Sequence, residues 1–85
     1  MKLTWVVAGH GAGETSADTL EEAVGHLQGG LREVGVGLDQ EVAARLLYSH
    51  WGPLRMALLT DGATAVNAGE SWSSTSGGIT VNVYP

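Results

Sequence analysis

Residues 54–68 read LRMALLTDGATAVNA, and the way this stretch folds decides the architecture. Two apolar segments, Leu54 to Thr60 and Ala63 to Ala68, flank Asp61-Gly62, a pair suited to the positive φ angles of a two-residue type I′ turn. The pattern predicts a β-hairpin. Downstream, Gly69 to Gly78 is dominated by Ser, Gly and Thr with a single Trp and reads as a polar loop. Ile79 to Tyr84 then alternates, with Ile79, Val81 and Val83 on one side and Thr80, Asn82 and Tyr84 on the other, as a strand does.

Upstream of the predicted hairpin, Gly52-Pro53 is expected to end a helix, because proline cannot extend one and restricts the residue before it. That helix is predicted to start at Asp39 as N-cap, with Glu41 in its first turn and Glu41 to Arg45 as an i,i+4 pair. Its buried face is drawn through Val42, Ala43, Leu46, Leu47 and His50 or Trp51. Before it, Leu20, Ala23, Val24, Leu27, Leu31 and Val34 fall three, four or seven apart and lie on one helical stripe. The stripe keeps its phase across Gly29-Gly30, so this first helix is expected to run to Val34 with Gly35 behind it. A stop at Gln28 and a short strand at Arg32 to Val36 is the alternative. Ser16 or Asp18 is the expected N-cap, and Asp18 to Glu21 has capping-box spacing.

Lys2 to Ala8 alternates as a strand that is fairly apolar on both sides, hence central in its sheet. Gly9 to Thr15 breaks the pattern with three glycines and reads as a loop. The predicted order is β-α-α-β-β-β over residues 1–85: one small α+β domain of two layers. Both helices are expected on one face of a four-stranded, largely antiparallel sheet. No internal repeat is present.

Composition excludes whole classes of function. The 85 residues contain no cysteine, which removes disulfide frameworks, thiol nucleophiles, zinc ribbons and iron–sulfur ligation. A net charge of −5, with only Lys2, Arg32, Arg45 and Arg55 as cations, opposes a surface that tracks nucleic-acid phosphates. Charged residues amount to 15%, too sparse for a mimic of DNA. Leu3 to Ala8 is too short for the apolar core of a secretion signal, and no run approaches the roughly 20 residues that span a bilayer. The expectation is a soluble chain that keeps its first methionine, in the cytoplasm or within an assembled particle.

Motifs for chemistry are weak. Gly9-His10-Gly11-Ala12-Gly13 could form an anion nest between a strand and a helix, yet it lacks the Lys-Ser/Thr of a phosphate loop, and a tight structural turn explains it. His10, His26 and His50 lie 16 and 24 residues apart, without ligand spacing, and His26 follows Glu22 by four as in a local helix pair. Ser49 beside His50 is only adjacency, since neighbours on a helix point about 100° apart. Glu21-Glu22 reads as a solvated helix face rather than a catalytic pair. No catalytic residue, metal ligand or cofactor is assigned.

Aromatic residues are more informative. Trp5, Trp51, Trp72, Tyr48 and Tyr84 all carry a polar group, the type enriched at interfaces. Trp5 is placed in the core. Trp51 adjoins the apolar face of the second helix, and Trp72 lies in a polar stretch as either an interface anchor or a lid folded over the sheet. The candidate partner-binding residues are therefore Trp72, Tyr84 and Trp51, together with the acidic group Glu14, Asp18, Glu21 and Glu22. That group also suits a helix dipole.

Two functions from different classes follow. The first is a non-enzymatic protein-protein interaction or assembly subunit, such as a small accessory component of a virion or other large complex, whose partner is a protein or a second copy. The second is a small acidic inhibitor, immunity protein or antitoxin covering a basic site. A small metal- or anion-binding enzyme has only the histidines and the glycine loop behind it. No nucleic acid, membrane or small-molecule ligand is indicated by the sequence.

Overall fold

The computed structural model describes all of residues 1–85. Strand β1 is Lys2–Val7 and strand β2 is Gly11–Ser16. Helix α1 is Leu20–Val36, helix α2 covers residues 40–67, β3 is Trp72–Ser76 and β4 is Ile79–Tyr84. The sheet has four strands in the order β2-β1-β4-β3, every neighbouring pair antiparallel. The protein is thus a two-layer α+β fold with both helices on one face of the sheet. Its chain order is β-β-α-α-β-β, so the expected layers are present and the expected order of elements is corrected in three places.

The first correction is β2. Gly9 to Thr15 is not a loop: Val7 lies opposite Gly11 and Lys2 opposite Ser16, with Gly9 at φ 77° in the connecting turn. The inner face of β2 is made by Gly11, Gly13 and Thr15, facing the same side as Val7, Trp5 and Leu3. These glycines leave room for neighbours. A Cβ on Gly13 would lie 2.7 Å from the Trp5 indole, and one on Gly11 would lie 3.4 Å from Val34 of α1.

The second correction is residues 54–68, which continue α2 instead of forming a hairpin. Gly62 has φ −62°, an ordinary helical value, so no positive φ is required at this site. Helix α2 begins at the expected cap, where the Asp39 carboxylate accepts from the Glu41 N–H at 2.9 Å. It then passes through a π-helical segment, Arg45–Trp51, and a second one, Leu58–Gly62, between α-helical stretches. Gly52-Pro53 does not end it. Proline lacks an N–H and crowds the carbonyl four residues back, and the wide π turn just before it opens the backbone at that point. The helix stops at Gly69, which has φ 77°. There the Gly69 N–H donates to Val66 and the Glu70 N–H to Ala65, the paired bonds of a Schellman motif.

The third correction is β3. The polar stretch at Trp72–Ser76 pairs with β4 through the two-residue turn Gly77-Gly78, whose φ values are 56° and 86°. Positive φ at both centres is the requirement of a type I′ turn, and Gly-Gly meets it without strain. The protein therefore has its type I′ hairpin, sixteen residues beyond Asp61-Gly62.

Helix α1 crosses Gly29-Gly30 without a break, as the stripe of apolar residues predicts. Its cap is Thr19, whose hydroxyl accepts from the Glu22 N–H at 3.2 Å, in place of Ser16 or Asp18. Glu21 and Glu22 occupy the first turn, and Gly37, not Gly35, follows the last. The core takes Leu3, Trp5 and Val7 from β1 and Ile79, Val81 and Val83 from β4. Helix α1 adds Leu20, Ala23, Val24, Leu27 and Leu31, and α2 adds Leu46, Trp51, Leu54 and Leu58. No polar side chain is buried, and no helix is long and apolar enough to cross a membrane.

Candidate functional site

The two hairpin turns lie side by side at one end of the sheet. The Ala8 N–H donates to the Gly78 carbonyl at 2.9 Å, which ties the β1–β2 turn to the β3–β4 turn. The first third of α2 closes over them, and between helix and turns is a cleft of about 150 Å³. Val7, Leu38, Val42 and Leu46 form its apolar wall. His10, Arg45 and His50 supply its polar side chains, and Ala8, Gly77 and Gly78 its backbone floor. The His50 ring sits directly against Gly77, where a Cβ would fall within the imidazole.

The local helix geometry brings Arg45 and His50 together. In an α-helix, residues five apart differ by about 140° around the axis. A π turn closes each N–H onto the carbonyl five residues back and winds more residues into each turn, which narrows that angle. Arg45 and His50 lie within the π segment Arg45–Trp51 and both line the cleft. Arg45 also meets Glu41 at 3.5 Å in the expected i,i+4 pair, largely exposed. No acidic residue lines the cleft itself.

Histidines 10 and 50 thus share one site, although 40 residues separate them and no sequence spacing announces a pair. His26 is elsewhere, exposed on α1 beside a groove that Glu14 and Glu33 also line. No three His, Cys, Asp or Glu side chains converge as a metal-binding group.

The candidate partner-binding residues separate into groups. Trp51 is a core residue, 4% exposed, which corrects its assignment to a contact surface. Trp72 is half-buried at the beginning of edge strand β3 and packs on Gly62 of α2, so it combines a lid's position with a partly open face. Tyr84, 42% exposed, lies on the outer face of β4 and shares a shallow cleft with Trp72, Ser71, Ser73 and Asn82. Glu14 is on the outer face of β2, 3.3 Å from the Lys2 ammonium across the strand pair. Asp18, Glu21 and Glu22 are exposed around the start of α1. The aromatic pair and the acidic group therefore lie at different edges of the sheet.

Outside these positions the sheet face opposite the helices is uncovered. Its side chains are mostly small and polar, with Thr4, Thr80 and Asn82 in the middle, a Thr75–Thr80 hydroxyl bond of 3.0 Å, and an Asn82 to Thr4 bond of 3.3 Å. Comparison with protein families, with curated proteins and with solved structures finds no match.

Proposed function

We propose that the protein is a non-enzymatic assembly subunit that joins copies of itself edge to edge. The reading rests on β3. This strand pairs with β4 on one side only and holds Trp-Ser-Ser-Thr-Ser, with no charge and no proline. An edge without such guards presents its N–H and C=O groups as a template for another strand. The Ser76–Gly77–Gly78–Ile79 hairpin makes Ser76 and Ile79 a hydrogen-bonded pair, and alternation from there points the Ser73 and Thr75 N–H groups away from β4, toward the free edge.

The opposite edge of the same sheet is β2, so β3 of one copy meeting β2 of the next is a head-to-tail contact that repeats. Charge is not symmetric between the two sides. The β2–α1 side carries Glu14, Asp18, Glu21, Glu22 and Glu33 against Arg32, whereas helix α2 balances Arg45 and Arg55 with Glu41 and Asp61. The α2 side is the less negative of the two, so the head-to-tail contact avoids setting two acidic sides against each other. Trp72 at the start of β3 and Tyr84 at the end of β4 are the aromatic anchors of this contact. The competing acidic inhibitor has less behind it, because Glu21 and Glu22 meet the α1 dipole and Glu14 meets Lys2 within the chain.

Light scattering behind size exclusion tests the proposal. The parent should exceed the 8.8 kDa monomer mass as concentration rises, and Ser73→Pro should remain monomeric with an unchanged circular dichroism spectrum. A parent that stays monomeric to millimolar concentration overturns it.

A further inference from the structure

We propose that the cleft between α2 and the two hairpin turns binds a small aliphatic carboxylate. Three segments distant in sequence meet there: the turn holding His10, the π segment holding Arg45 and His50, and the Gly77-Gly78 turn. In a chain of net charge −5, these are a guanidinium and two imidazoles in a lining without a carboxylate. The groove beside α1 is lined by Glu14 and Glu33, and the one at the start of α1 by Asp18 and Glu21. The groove at Arg32 also has no carboxylate, but Arg32 stands there without a histidine, so three converging nitrogen donors are found at this cleft alone.

The wall and the volume select the ligand. Val7, Ala8, Leu38, Val42 and Leu46 make half of the lining residues hydrophobic, so a fully hydrated ion leaves that surface unmatched. An apolar cavity of about 150 Å³ accepts a guest the size of benzene, roughly six heavy atoms. A four-carbon carboxylate has that size. Its charged end suits Arg45, whose planar fork matches two carboxylate oxygens, with His10 and His50 as further donors. A phosphate dianion has no hydrocarbon to place on the wall and only one permanent cation to meet. The site is separate from the edge contact proposed above, since none of its side chains belongs to β2 or β3.

Val42, Leu46 and His50 follow one another at a spacing of four along α2 and Arg45 adjoins Leu46, so one side of the helix carries the apolar wall and both polar side chains, while the His50 ring lies against Gly77.

Titration of ¹⁵N-labelled protein with sodium butyrate, at constant ionic strength, tests the assignment. Saturable shifts are expected at the Gly77 and Gly78 amides, the Arg45 side chain and the His10 and His50 rings, with Kd in the millimolar range. Inorganic phosphate and uncharged butyramide should each bind about tenfold more weakly. Arg45→Gln should weaken butyrate about tenfold, whereas Glu41→Gln, which frees Arg45 from its 3.5 Å partner, should tighten it. Absence of saturable shifts at these residues, equal binding of butyramide or phosphate, or an Arg45→Gln protein that binds butyrate like the parent would each overturn the proposal.

Discussion

Gly29 and Gly30 are adjacent in the interior of α1, and replacing each by alanine should have opposite effects. Both substitutions remove glycine's backbone entropy cost and should stabilise a helix interior by about 1 kcal/mol. At Gly29 nothing lies within 4 Å of the new Cβ, so the full gain is expected. At Gly30 the new Cβ would lie 2.6 Å from Cζ2 of Trp5 and 3.2 Å from its Cε2. Carbon atoms pack at about 3.5–4.0 Å, so the indole must shift by about 1 Å. It has little space for that, because the same part of the ring lies against Gly13 of β2, where a Cβ would be 2.7 Å away.

Overpacking of this kind costs about 1–3 kcal/mol, which exceeds the helix gain. Gly29→Ala should therefore raise stability by about 1 kcal/mol, or about 4–8 °C in Tm for a domain of this size, and Gly30→Ala should lower it by about 1 kcal/mol. Urea unfolding followed by circular dichroism measures both, with an unchanged m value showing that the unfolded state is the same reference. The difference between the two variants cancels the helix term and isolates the Trp5 contact. Equal shifts of one sign would remove Trp5 from the face of Gly30, and a destabilising Gly29→Ala would remove the continuous helix.

Gly77→Ala should destabilise by more than the 1–2 kcal/mol of left-handed strain alone, because φ is 56° and the His50 ring occupies the Cβ position; His50→Ala in the same chain should restore part of the loss, measured by the same unfolding curves. Trp72→Ala should cost about 2 kcal/mol, less than the 3–5 kcal/mol of a fully buried aromatic, since the ring is half-buried against Gly62; a loss within 0.5 kcal/mol would place it on the surface. The Glu41–Arg45 pair, largely exposed at 3.5 Å, should show a coupling energy below about 0.5 kcal/mol in a double-mutant cycle, and a value above 1 kcal/mol would refute its description as a solvated helix pair.

Elements governed by local periodicity were legible in the sequence. The stripe from Leu20 to Val34 gives α1 and its passage over the glycine pair, Asp39 gives the start of α2, and the alternations at Lys2 and Ile79 give β1 and β4. Strand β2 was hidden because two of its three inward positions, Gly11 and Gly13, are glycines. Their purpose is the space taken by Trp5 and Val34, and that is a long-range fact. Strand β3 was hidden because Ser and Thr carry little apolar contrast, although Gly77-Gly78 next to an alternating strand meets the same hairpin criterion that was applied to Asp61-Gly62. For the cleft, the sequence signals were the glycine loop around His10 and the helical face through Val42, Leu46 and His50. The convergence of His10 with Arg45 and His50 depends on two neighbouring hairpin turns meeting the end of α2, a long-range contact that leaves no spacing to count.

Residues 54–68 show how tertiary packing settles an ambiguous pattern. Drawn as a strand, Leu54, Met56 and Leu58 share a face and should be buried together. Leu54 and Leu58 are buried, but Met56 between them is 62% exposed, and only a helix separates them in this way. Local preference agrees, since Leu, Met, Arg and Ala dominate the segment and form helices readily. The longer helix has an architectural effect. At about 1.5 Å per residue, residues 40–67 span about 40 Å, close to the molecule's 39 Å long dimension. One end of α2 therefore reaches the hairpin turns, where Arg45 and His50 form the cleft, and the other reaches Met1 and the start of α1, where Leu59, Ala63 and Val66 pack. A hairpin at Asp61-Gly62 would have confined the helix to residues 40–51, about 18 Å in length. The extended helix instead leaves β2 and β3 as the edges and fixes the cleft at the end of the sheet where the turns meet.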